Sequence, residues 1–122
     1  MGDLTFKTLR LHNAARCEES FYPVDSRTPN DWAAAICEEA GEVARITKRV
    51  RDGKRTLEDA RKDMGDELAD LVMYIDLMAA RFGIDLDAAV IGKFNEVSRR
   101  VGSWRILAST DDGTKKDGGT GG

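Results

Sequence analysis

The chain is poor in the residues that most metal and redox centres use. It has one histidine and two cysteines in 122 residues, Cys17 and Cys37, twenty positions apart. That excludes a zinc motif built on paired Cys or His and a disulfide scaffold, and it predicts free thiols. There are only two prolines, at 23 and 29, so no proline interrupts the chain after the first quarter. No apolar run is long enough to span a bilayer, and no secretory leader pattern opens the chain, which predicts a soluble cytoplasmic protein with no membrane partner. Net charge is −3, and no Lys/Arg block is long enough to grip a nucleic-acid polymer. The short basic run Arg45, Lys48, Arg49, Arg51, Lys54 and Arg55 suits a helix C-terminus or a small anion.

Acid is abundant, and its placement is not random. Two clusters, Glu38-Glu39-Ala40-Gly41-Glu42 and Glu67-Leu68-Ala69-Asp70, lie on two amphipathic patterns joined by Asp52-Gly53-Lys54-Arg55. The pairs Glu39/Asp70 and Glu42/Glu67 share one midpoint, between Lys54 and Arg55. An antiparallel helix pair therefore sets Glu39 level with Asp70 and Glu42 level with Glu67. At about 100° per residue, Glu39 lies about 40° from Val43 on the stripe Trp32, Ile36, Val43, Ile46, Val50, with Glu42 about 100° round and Glu38 furthest out. Glu67 and Asp70 flank Leu71 on the stripe Met64, Leu68, Leu71, Ile75, Met78, Phe82 in the same manner.

Carboxylates that intrude on apolar stripes need a counter-charge, because a buried unpaired charge costs several kcal/mol. Oxygen-only donors suit Mg²⁺, or Mn²⁺, over softer metals. A di-iron bundle site is excluded, since it uses Glu-x-x-His and no Glu stands three residues before His12. The competing reading is a solvated acidic face on a non-catalytic helical interaction module.

The rest of the chain reads as helix and punctuation. The patterns predict an all-α, four-helix-bundle-like fold with helices about 4–20, 29–51, 57–82 and 86–101, forming one domain over 1–108. Thr5, Thr28 with Pro29 and Asp31, Thr56 with Asp59, and Asp85 are the expected starts, and Gly53 and Gly83 the stops. Gly65 is a candidate bend. Residues 103–108 fit either a helix extension or an extended arm, and 109–122, with no apolar side chain, predict a disordered tail. Val72, Leu77 and Ile91 fall off the main stripes, which predicts a homodimer or homotetramer.

The spacing Glu38-Glu39-x-x-Glu42, 24 residues, then Glu67-x-x-Asp70 resembles the signature of the MazG-like all-alpha nucleoside triphosphate pyrophosphohydrolases. Asp31-Trp32-Ala33, Glu-Ala-Gly-Glu-Val at 39–43, Asp-Glu-Leu-Ala-Asp at 66–70, Arg-Phe-Gly-Ile-Asp from 81 and Lys-Phe-Asn-Glu-Val-Ser-Arg-Arg from 93 extend the likeness. It implies Mg²⁺-dependent hydrolysis of a nucleoside triphosphate to monophosphate and pyrophosphate, in a house-cleaning role against non-standard nucleotides. By position it implies Glu39, Glu42, Glu67 and Asp70 as metal ligands, and Glu38 beside Glu39 as a catalytic helper that orients water. It also implies Lys48, Lys93, Asn95 and Arg99 as phosphate or sugar contacts, and His12 and Trp32 as base contacts. Dimeric dUTPases and phosphoribosyl-ATP pyrophosphohydrolases share the metal motif, so they stand as alternatives.

Overall fold

A computed structural model describes residues 3–108 of the chain. The expected tail at 109–122 lies outside the described residues. Four helices account for nearly all regular structure: α1 (Phe6–Ser20), α2 (Pro29–Arg51), α3 (Leu57–Arg81) and α4 (Leu86–Val101), with one 3₁₀ turn at Val24–Ser26 between α1 and α2. Among the described residues there is no strand, and no helix is long and apolar enough to cross a membrane.

The helix starts follow from side-chain chemistry. Thr28 Oγ1 accepts the Asp31 amide at 3.1 Å while the Asp31 carboxylate accepts the Thr28 amide at 2.9 Å, so Asp fills the role Glu usually takes in a capping box. Thr5 caps α1 in the same reciprocal way with Thr8, which is why that helix begins at Phe6 and not at residue 4. Thr56 and Asp85 cap α3 and α4. At the other end of α3, Phe82 is the cap and Gly83 takes φ 68°, a left-handed conformation that closes the helix one residue short of the expected 82. α3 runs unbroken through Gly65.

The chain divides into two compact units, Met1–Gly83 and Ile84–Gly122. In the first, α2 and α3 form an antiparallel hairpin. Its turn is held by Gly53 at φ 75° and by the Lys54 amide donating to Arg49 O at 2.9 Å. Arg55 reaches forward to Asp59 and Asp63 and ties the turn to the start of α3. α1 lies across α3. The core where they meet is Cys17, Val24, Trp32 and Leu77, flanked by Tyr22, Tyr74 and Met78. Leu77, expected to need a partner subunit, is instead covered inside the chain, because α1 packs on a second face of α3. That face is polar at its centre: Asp76, fully buried, accepts Arg10 Nε at 2.9 Å and Asn13 Nδ2 at 3.1 Å.

The second unit carries α4 and the segment that follows it. Residues 103–108 are not helical. Asn95 holds them against α4, its Nδ2 donating to Leu107 O at 2.9 Å and its Oδ1 accepting the Leu107 amide at 2.8 Å. The extended-arm alternative is therefore the one observed.

Candidate metal centre and its cavity

Glu39 arises from the middle of α2 and Glu67 and Asp70 from the middle of α3, each half-buried beside its helix's apolar stripe. The hairpin brings one oxygen from each within 4.8 Å of the others. The spacing Glu67-x-x-Asp70 puts the two α3 carboxylates on one face, so one residue from α2 completes the group. Glu39 feels the crowding most. A hydrogen bond with Glu67, then burial, then repulsion from Glu67, Asp70 and Glu38 push its carboxyl up to about 7. Three hard oxygen donors carrying excess negative charge are the donor set that a divalent cation satisfies.

The other expected residues distribute unevenly. Glu42 lies outside that cluster and pairs with Arg45 at 3.3 Å. Glu38 is exposed, as its place on the wheel requires. Lys48 is exposed in the last turn of α2. Lys93, Asn95 and Arg99 ride on α4 in the second unit, where Lys93 pairs with Glu96 at 2.8 Å.

Beside the carboxylates opens a cavity of about 240 Å³ whose wall includes Glu39 and Asp70 at one part and Asn13, Tyr22, Trp32 and Tyr74 at others. Trp32 is 1 % exposed and donates its indole N–H to Val24 O at 3.3 Å, so it is core and cavity wall at once. Its ring stands 6.0 Å from that of Tyr22 and 6.4 Å from that of Tyr74, making a continuous aromatic wall. Burial raises the Tyr74 hydroxyl and the Cys17 thiol above their ordinary values, so both stay protonated near neutrality. His12 is exposed and lines a neighbouring depression with Leu9, Glu19 and Met73; Asn13, Arg16 and Met73 belong to both walls.

Asn13, Tyr22, Tyr74 and Asp76 were not singled out from the sequence. Tyr74 carries a signal, standing one helical turn after Asp70 and so on the same face. Asn13 and Asp76 carry none, because their importance depends on how α1 crosses α3.

A helical hairpin that gathers three carboxylates, two of them at the edge of an aromatic-lined cavity, defines a class of acidic, metal-ready all-α sites. The model of the MazG nucleotide pyrophosphohydrolase domain matches residues 27–101, and the chain belongs to that family. No curated protein and no solved structure matches it.

Proposed function

We propose that this chain hydrolyses a nucleoside triphosphate between its α and β phosphates, water adding to the α phosphorus and pyrophosphate departing, to leave the monophosphate. The observation that carries the reading is the Glu39, Glu67, Asp70 trio, of which Glu39 and Asp70 also line a cavity with an aromatic wall. Those three carboxylates hold Mg²⁺, or Mn²⁺ in its place. When bound, the cation supplies charge for phosphoryl oxygens and acidifies a water.

The chain's own groups do the rest. Glu42 joins the ligands by leaving Arg45, an exposed pair that costs little to break. Glu38, exposed beside Glu39, orients the attacking water from the solvent side. The Trp32 and Tyr74 rings shape the cavity that receives the base and keeps water off one side of it. Lys48, Lys93, Asn95 and Arg99 keep the phosphate and sugar roles that the family resemblance gives them, and His12 belongs to the rim. The catalytic domain is 1–108, working in the cytoplasm as a homodimer or homotetramer on non-standard nucleotides.

The test is pyrophosphate release from a panel of ribo- and deoxyribonucleoside triphosphates with Mg²⁺ and with EDTA. Metal-dependent monophosphate plus pyrophosphate is expected. Glu39→Gln and Asp70→Asn, both nearly isosteric, are expected to lose turnover by about 10²-fold or more with helicity unchanged. Full activity in both variants would overturn the ligand assignment.

A further inference from the structure

The carboxylate end of the cavity is suited to phosphate and metal; the α1 end has its own chemistry, set by Asn13. This residue is only 5 % exposed, yet it forms part of the cavity wall. Its amide nitrogen donates to Met73 O at 2.9 Å and to Asp76 Oδ2 at 3.1 Å. Both partners are acceptors, a main-chain carbonyl and a carboxylate, so the orientation of the amide follows from chemistry alone. Asp76 is itself fixed, buried completely and held by Arg10 Nε at 2.9 Å. Both Asn13 N–H bonds are thereby used. Oδ1 has no partner among the described residues, and it is not among the side-chain oxygens sealed from solvent without one. It is an acceptor locked in place, unable to swap for the donor.

We propose that Asn13 Oδ1 makes the cavity select bases with an amino group at pyrimidine C4 or purine C6 over bases with a keto oxygen at that position. Cytosine presents an N4 amine and adenine an N6 amine, whereas uracil or thymine presents O4 and guanine O6. A free asparagine amide turns to suit either edge. Here the turn would break bonds to Met73 O and Asp76 and set two N–H donors' worth of acceptors against an oxygen. A keto base would then place oxygen against oxygen, unpaired, in a part-buried site. The inference rests on the nucleotide reading above and adds the class of base to it.

Matched pairs that differ in this group and in the proton on the adjoining ring nitrogen test it: dCTP against dUTP and dATP against dITP for turnover with Mg²⁺, and dCMP against dUMP and dAMP against dIMP for binding by calorimetry. The amino member is expected to lead in kcat/KM and in affinity by about tenfold or more in whichever pair the cavity admits. Equal values, a keto preference, or no binding by any of the four monophosphates would overturn the inference. Absence of turnover with selective monophosphate binding would instead overturn the hydrolase reading and leave this one standing. Asp76→Asn sets an N–H where the carboxylate was and leaves Met73 O as the one acceptor holding the Asn13 amide, so the lock loosens and the ratio within the pair is expected to fall toward one. A purely structural role for Asp76 would lower both members together and keep the ratio.

Discussion

At Glu39 a proton and the proposed divalent cation would compete for the same oxygens. Its carboxyl, raised from 4.5 to about 7, binds a proton in the folded chain that the unfolded chain has already released. In the metal-free protein that contribution to stability is full below about pH 4.5 and is lost as pH rises through about 7. The carboxyls of Asp31, Asp59 and Glu96 are shifted the other way by caps and ion pairs, so their stabilisation disappears only at more acidic pH, outside that window. Melts in EDTA are therefore expected to show Tm declining between pH 5 and 8, while the increment from added Mg²⁺ grows over the same range. An increment independent of pH would separate Glu39 from the cation. Asp76 gives a second expectation at this scale. Replacing it by Ala leaves the Arg10 guanidinium, one nitrogen of which is already buried without a partner, facing an apolar gap. The loss is expected to be about 3–5 kcal/mol by denaturant titration.

Among the elements, the helical hairpin was legible because its information is local. The stripes Trp32 to Val50 and Met64 to Met78, the Thr28 and Thr56 caps and Gly53 each act within one or two turns, and α2 and α3 begin where those signals stand. The even spacing of the acidic clusters about the turn likewise foretold that they meet. The partner of Glu39 was less legible: it gathers with Glu67 as well as Asp70, since side chains of this length reach across a register step. α1 was the hard case. The aromatic residues at its two ends, Phe6 and Phe21, are exposed; it packs through Cys17 and through the polar Arg10 and Asn13, which bond Asp76. A buried polar contact between segments more than sixty residues apart leaves no periodicity to read. The caps offer a clean check on the local part. Thr28→Ala is expected to cost about 1 kcal/mol, near 4 °C in Tm. Thr47→Ala, which removes only a back-bond to Ala44 O inside α2, is expected to leave Tm unchanged or slightly higher.

For the whole molecule, the question is what covers the apolar side chains left in solvent. In the first unit, Leu68 and Ile75 of the main α3 stripe, Val72 beside them and Phe82 at the helix cap are all exposed. In the second, Val90, Phe94 and Val101 are exposed along α4. Each stripe has helical spacing and flanking charge, the pattern of a helix that packs on another helix. Burying such rows stabilises by roughly 25 cal/mol per Å², enough for a handful of large side chains to hold copies together at micromolar concentration. Sedimentation is expected to give a dimer or tetramer, with a Tm that rises with protein concentration. Ile75→Glu and Phe94→Glu place a charge within the two stripes in turn, and each is expected to shift the protein to a smaller species while helicity holds. A single monomeric mass at every concentration, with a Tm that ignores dilution, would mean that the stripes are not subunit contacts; loss of association in only one variant would identify which helix faces its copy.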